Sequence, residues 1–303
     1  MDKIFISGGA GFIGSAIFNQ LQSNGHEILI YDNLSFGQRK FVDVNDDHFV
    51  LGNILDQEHL NLAIKDFAPH IVIHLAAIHF IPYCNEFPFE SSNINIKGTA
   101  NLLAACKQLS CLKKFFFAST AAVYPVHDTA ISELLEPQPL DIYGLTKFAG
   151  EELVKKFHSE TRVPSILCRF FNAFGPNETN PHLIPEIQKQ INRGERVIHL
   201  GNTEPKRDFI HTHDMARAVS LLVEKFNGGI DTFNLGQGTE YSVLEVVSAF
   251  ERVIGEDIRV VVDPERIRKS DRLHLMADIS KLSALTGWQP CVSLEQGLKT
   301  LLT

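Results

Sequence analysis

The first half of the chain alternates short apolar runs with longer segments in which apolar residues recur at helical spacing. The runs predict β-strands at residues 4–6, 27–31, 48–51, 70–74 and 114–118. Helices are predicted at residues 12–23, 89–109 and 143–159, and a loop over residues 78–88. Strands that alternate with helices in this way predict a parallel, doubly wound α/β sheet, in which ligands bind beyond the carboxyl ends of the strands.

The second half of the chain has a different pattern. Prolines interrupt it from Pro176 onward, and the alternating units become shorter. We therefore predict a large domain at residues 1–170 and a smaller one at residues 171–303. The two are expected to be interleaved, because a segment near residues 207–235 has the pattern of a return to the sheet.

A glycine-rich turn follows the first predicted strand and opens the first helix. We expect Gly8 to allow a tight turn, Gly11 to let the backbone approach a pyrophosphate, and Gly14 to let the helix pack against the strand. Asp32 ends the second strand, at the distance where a carboxylate meets ribose hydroxyls. A lone glycine motif is more often an ordinary turn, but strand, helix and Asp32 together predict a Rossmann dinucleotide site. The carboxylate would repel a 2′-phosphate, which favours NAD over NADP.

A phenol and an amine are placed four residues apart at Tyr143 and Lys147, on one face of a predicted helix. The amine favours the phenolate, and an oxidised nicotinamide would add a second positive charge, so the pKa of Tyr143 could fall towards working pH. An isolated pair of this kind is more often a solvated helix face. Here Ser119 and Thr120 follow the fifth predicted strand, where a hydroxyl can share a hydrogen bond with a substrate alcohol.

Composition limits the classes of partner. The formal charge of −8 argues against a nucleic-acid or anionic-membrane surface, and no apolar stretch is long enough to cross a bilayer. We therefore expect a cytoplasmic protein. The five cysteines include no C-x-x-C pair, so neither a disulfide framework nor a metal site is predicted.

These motifs, in this order, resemble the extended short-chain dehydrogenases/reductases of the nucleotide-sugar epimerase/dehydratase family. Besides the glycines and the Tyr143–Lys147 pair, the matching segments are Tyr31-Asp32-Asn33-Leu34, His74-Leu75-Ala76-Ala77, Asn95-Ile96-Lys97-Gly98-Thr99, Ser119-Thr120-Ala121-Ala122-Val123-Tyr124 and Arg169-Phe170-Phe171-Asn172. The resemblance implies that Thr120, Tyr143 and Lys147 are catalytic. Tyr143 would take a proton from a sugar hydroxyl, Thr120 would share it, and Lys147 would hold the nicotinamide ribose.

The resemblance also implies two binding sites and a homodimer. Its NAD-binding residues are Gly8, Gly11, Phe12, Ile13, Asp32, Asn33, Asn53, Ile54, Leu75, Ala76, Ala77, Asn95, Tyr143 and Lys147. Its nucleotide-sugar residues are Ser119, Thr120, Asn172, Arg207 and Arg268, with the two arginines on the diphosphate. Without the resemblance, those arginines would more often be surface charges. The homodimer would form through the helices at 89–109 and 143–159.

One departure from the family pattern bears on the reaction. Alanines stand at positions 121 and 122, directly after Thr120, where 4,6-dehydratases of the family carry an Asp-Glu pair. This predicts 4-epimerisation of a UDP-sugar through a transient 4-keto sugar. A dehydratase or keto-sugar reductase stays open, because His79 or Cys84 could supply an acid or base, although each is more often structural. A non-catalytic dinucleotide sensor is disfavoured because all three catalytic residues are present.

Overall fold

The computed structural model describes residues 1–264 and 272–302. Its strands are β1 Lys3–Ser7, β2 Glu27–Asp32, β3 Phe49–Leu51, β4 Ile71–His74, β5 Lys114–Thr120, β6 Ser165–Phe170, β7 Asn172–Phe174, β8 Val197–Leu200, β9 Lys206–His211, β10 Ile230–Leu235, β11 Glu240–Ser242 and β12 Arg259–Val262. Its α-helices are α1 Phe12–Ser23, α2 Gln57–Phe67, α3 Ile81–Glu86, α4 Pro88–Ser92, α5 Gly98–Cys106, α6 Ile142–Thr161, α7 Leu183–Asn192, α8 Thr212–Lys225, α9 Val243–Ile254, α10 Ser280–Thr286 and α11 Leu294–Lys299.

Within these ranges, seven strands form a parallel sheet in the order β3-β2-β1-β4-β5-β6-β10. The apolar run of β1 shows why both faces are covered. Ile4 and Ile6 pack with α1 and α8 on one face, and Phe5 packs with α2, α5 and α6 on the other. Because neighbouring side chains of a strand point to opposite faces, a continuous apolar run fits a strand buried on both sides. The predicted doubly wound α/β fold is confirmed.

A second group of strands lies beyond the large sheet. Strands β7, β9 and β11 form one small sheet and β8 pairs with β12, with a separate core among α7, α9 and α11. Helix α8 and strand β10 rejoin the large sheet, with α8 against α1 and β10 beside β6. The chain therefore crosses between the two groups more than once.

Three local features differ from the sequence prediction. Strand β5 continues to Thr120, so Ser119 and Thr120 end the strand instead of following it. The helix expected at 89–109 consists of α4, a π-helical turn Asn93–Lys97, and α5, which ends at Cys106. The expected loop 78–88 contains α3. Proline is tolerated in a helix's first turn, where the missing N–H has no helical partner, and both α3 and α4 carry one there.

None of the helices in the described part of the chain is both long and apolar enough to cross a membrane.

Candidate active site

A cavity of about 1410 Å³ runs along the carboxyl ends of the large sheet. Gly8 and Asp32 line one end, Thr120 and Tyr143 the middle, and Arg207 the other end. The first end lies where β1 separates β2 from β4 and the strand order reverses. Ligands of doubly wound sheets bind at such a point.

The glycine turn has a shape that larger residues cannot adopt. Gly8 has a φ of +76°, and a Cβ there would lie 2.6 Å from the Ala76 nitrogen. A Cβ on Gly14 would overlap the Gly8 carbonyl oxygen. Helix α1 then begins at Phe12 without a side-chain cap on its first N–H groups. These groups are free to bind an anion such as a pyrophosphate.

Asp32 is held rigidly beside this turn. Its Oδ2 accepts a hydrogen bond from Ala10 N at 3.0 Å, and its Oδ1 accepts one from Leu34 N at 2.8 Å. Burial raises the pKa of Asp32, and the two backbone hydrogen bonds oppose that shift. Each oxygen keeps a second lone pair, and the residue lines the cavity, which suits acceptance from ribose hydroxyls.

The three residues expected to be catalytic come together in the middle of the cavity. Asp141 caps α6 by accepting from Gly144 N at 2.7 Å, which starts the helix just before Tyr143. Gly144 brings this first turn against the Ala122 carbonyl, where a Cβ would overlap it. The Thr120 side chain hydrogen-bonds Tyr143, which lowers the pKa of the phenol, but burial raises that pKa more strongly.

Lys147 is buried without a polar partner. The residue is 3% exposed, and its Nζ lies 4.3 Å from the centroid of the Phe117 ring. Across residues 1–264 and 272–302, Nζ makes no hydrogen bond. Burial lowers the pKa of Lys147 to about 7, although Glu151 opposes the shift. A buried amine with free donors fits a ligand that brings hydroxyl oxygens, such as the ribose of a dinucleotide.

Comparison with known proteins places the chain in a family. The model of the NAD dependent epimerase/dehydratase family matches residues 4–236. The chain belongs to this family. The family predicted from the sequence is thereby confirmed.

Relatives of this family member cover nearly its whole length. The UDP-glucose 4-epimerase of Bacillus subtilis (strain 168) is 32% identical over 97% of this chain and 94% of its own. Among solved structures, the UDP-glucose 4-epimerase of Thermotoga maritima with UDP-glucose has a TM-score of 0.91 at 30% identity, covering 99% of this chain and 97% of its own. That of Thermus thermophilus in complex with NAD has a TM-score of 0.89 at 27% identity, covering 99% and 97%.

Most residues expected to bind NAD line the cavity. These are Gly8, Gly11, Phe12, Ile13, Asp32, Asn33, Asn53, Ile54, Leu75, Ala76, Ala77, Tyr143 and Lys147. Asn95 does not. Its Oδ1 accepts from Ile78 N at 2.8 Å, and its Nδ2 donates to Ile78 O and Thr146 Oγ1, both at 2.9 Å. The structure corrects its role: the amide holds the loop after β4 against α6, behind the cavity wall.

The structure also corrects the role of Ser119. Its hydroxyl donates to Glu151 Oε1 at 2.5 Å, and Glu151 forms a buried two-point ion pair with Arg169. A hydroxyl engaged in this network is not presented to a sugar. Ser119 therefore supports the packing of β5, α6 and β6.

The far end of the cavity holds the expected substrate residues Asn172 and Arg207. The Asn172 Oδ1 is buried and has no hydrogen-bond partner in the described part of the chain. An orphaned buried amide oxygen is costly, so a ligand donor there would stabilise the complex. Arg268 lies outside the described residues.

Three cavity residues near this end were missed or undervalued by the sequence analysis. His79 was expected to be structural, and Glu178 and His182 were not singled out, yet all three line the cavity. Burial lowers the pKa of His79 to about 4 and raises that of Glu178 to about 7. Cys84 instead lies behind the wall, where its Sγ donates to Ile78 O. The separation of residue 79 from 178–182 leaves no local signal by which sequence patterns could have joined them.

Proposed function

We propose that this family member is an NAD-dependent nucleotide-sugar epimerase that inverts C4 of a UDP-sugar. The single observation that carries the proposal is the meeting of Thr120, Tyr143 and Lys147 between the glycine turn and the Asn172–Arg207 end. At the level of an NAD-dependent nucleotide-sugar epimerase, the sequence prediction is confirmed, since the relatives are UDP-glucose 4-epimerases and their structures hold UDP-glucose or NAD.

The residues perform the proton chemistry of the reaction. When bound, NAD supplies reversible hydride transfer at the sugar carbon. Tyr143 removes the proton of the C4 hydroxyl and later returns it, and Thr120 donates a hydrogen bond that stabilises the phenolate. Lys147 donates to the nicotinamide ribose and places a positive charge near the phenolate. That charge offsets the burial that raises the pKa of Tyr143 in the ligand-free cavity.

Residues 121 and 122 separate epimerisation from dehydration. Dehydration must also remove the C5 proton and expel the C6 hydroxyl, which needs a further acid and base. Ala121 and Ala122 are buried and cannot transfer protons. A dehydratase is the second candidate, favoured by the position of His79 on the cavity wall near Lys147.

The test is product analysis in D₂O. The purified protein is given UDP-, GDP-, CDP- and dTDP-sugars, and proton NMR and mass spectrometry follow the products. We expect the C4 epimer of a UDP-sugar, no net consumption of NAD and no deuterium at C5. Deuterium at C5, or a product lighter by one water, would replace the epimerase proposal with a dehydratase.

The two ends of the cavity support a division of labour along the chain. We propose that residues 1–170, with the return segment 207–235, hold NAD, and that residues 171–303 hold the nucleotide sugar. The free first turn of α1 suits a pyrophosphate, and Asn172 with Arg207 suits the sugar nucleotide's diphosphate. Binding of the same diphosphate by Arg268 stays a prediction.

A homodimer through α4, α5 and α6 is part of the proposal. Phe89 on α4 is 88% exposed and Leu145 on α6 is 52% exposed. Large apolar side chains in contact with water support an interface on these helices. Light scattering after size exclusion should give twice the chain mass of 33.9 kDa. A mass of one chain would contradict the dimer.

A further inference from the structure

His79, Glu178 and His182 form a cluster on the cavity wall, here called the His-Glu cluster. Each side chain is half-buried and offers one donor atom, and the three donor atoms lie within 4.8 Å of one another. The His79 and His182 rings have their centroids 6.1 Å apart at an angle of 34°. Because all three line the cavity, an ion can reach them from solvent.

The local structure holds the cluster in place. Asn180 N donates to Glu178 Oε1 at 2.9 Å, and His182 N donates to Asn180 O at 2.8 Å, so residues 178–182 form a compact turn. His182 then precedes the first residue of α7. The Asn180 amide reaches across to His79, with Nδ2 and Nε2 3.0 Å apart. This bridge brings the loop after β4 and the turn after β7 to one place.

The donor set is one that transition metals prefer. Two imidazoles and one carboxylate bind Zn²⁺ and Co²⁺ at about 2.0–2.2 Å, commonly in tetrahedral geometry with the fourth position open. Donors around such an ion are roughly 3.4 Å apart, so the three side chains need to close only slightly. We propose that the His-Glu cluster binds one divalent transition-metal ion, with Zn²⁺ as the preferred ion and its fourth coordination position facing the cavity.

The surroundings of Glu178 and His79 support this site. The Glu178 carboxylate is oriented by hydrogen bonds from the Thr179 and Asn180 backbone and from the Asn180 side chain. Hydrogen bonds that orient a ligand from behind are a regular part of metal sites. His79 Nε2 has an amide as its present neighbour, and a metal ion would replace that contact. Asn180 would then be a positioning residue for both ligands.

The test uses tag-free protein freed of metals and titrated with Zn²⁺ by calorimetry and with Co²⁺ by visible absorption. We expect one equivalent to bind, with the Co²⁺ bands of a four-coordinate nitrogen and oxygen site. His182→Ala and Glu178→Gln should each weaken binding by at least about tenfold. His213→Ala is the matched control, because His213 is exposed and lies outside this cavity, and it should bind like the wild type.

Two results would overturn the metal site. One is the absence of stoichiometric binding by the wild type, and the other is equal affinity in all four proteins. The NAD content of each variant reports whether it has folded. If a variant is misfolded, X-ray absorption of the zinc-loaded wild type decides, since a shell without imidazole contradicts the proposal. The titrations contain no nucleotide sugar, so their outcome is separate from that of the epimerase proposal.

Discussion

The hydroxyl of Ser119 donates a 2.5 Å hydrogen bond to Glu151, whereas its neighbour Thr120 interacts with Tyr143. Adjacent residues of one strand thus have separate tasks. Ser119 belongs to the buried Glu151–Arg169 pair, and Thr120 belongs to the cavity.

This division predicts opposite outcomes for two neighbouring substitutions. Thr120→Val should lower kcat by about 10²-fold to 10³-fold, because it removes a hydrogen-bond donor to the developing oxyanion. Thr120→Ser should restore most of the activity. Ser119→Ala should keep kcat within a few-fold and lower the free energy of unfolding by about 1–3 kcal/mol, since Glu151 loses one hydrogen bond. Equal kinetic losses at both positions would contradict the assignment.

Tyr143→Phe should retain the fold and the bound NAD but lose most turnover. Only the phenolic oxygen is removed, and loss of a general base lowers the rate by about 10²-fold to 10⁴-fold. The measurements are kcat for epimerisation and NAD content by absorbance after denaturation. Near-normal turnover with intact NAD would move the base to another cavity residue, His79 first.

Lys147→Met should stabilise the cofactor-free protein while weakening NAD binding. Burial lowers the pKa of Lys147 from 10.5 to about 7, so below pH 7 the folded state bears a buried, unpaired charge. Between pH 7 and 10.5 the folded state releases this proton and the unfolded state keeps it, so wild-type stability rises with pH there. The variant's advantage should therefore be largest near pH 6 and shrink by about pH 9.

Thermal unfolding at the two pH values measures this difference. Relief of about 1 kcal/mol would raise the Tm at pH 6 by roughly 2–4 °C. An NAD titration on the same samples should show weaker binding by the variant. An unchanged difference in Tm between the two pH values would show that Lys147 does not titrate in this range.

Gly14→Ala should abolish NAD binding, because the added Cβ overlaps the Gly8 carbonyl oxygen and must move either the turn or α1. Gly228→Ala is the matched control. A Cβ at Gly228 has no heavy atom within 4 Å, and its φ does not require glycine. We expect wild-type NAD affinity in the control and at least about a tenfold loss in Gly14→Ala. Comparable affinities would mean that the turn adapts.

Local patterns were enough to predict the sheet and the glycine turn. The burial of Ile4, Phe5 and Ile6 follows from a continuous apolar run, and the positive φ of Gly8 follows from the tight turn that the motif implies. Tyr143 and Lys147 share a helix face because they are four residues apart. Each of these inferences depends on interactions within a few residues, so the order of amino acids was sufficient.

Tertiary packing decided the partners that are distant in sequence. The Asn95 amide is used by Ile78 and Thr146, and the His-Glu cluster joins residue 79 to the turn at 178–182. Ser119 and Thr120 show the reason most directly. Because side chains alternate across a strand, only one of the two could face Tyr143. The sequence by itself determined that a hydroxyl would end β5, but the packing of α6 and β6 against that strand decided which hydroxyl reached the cavity.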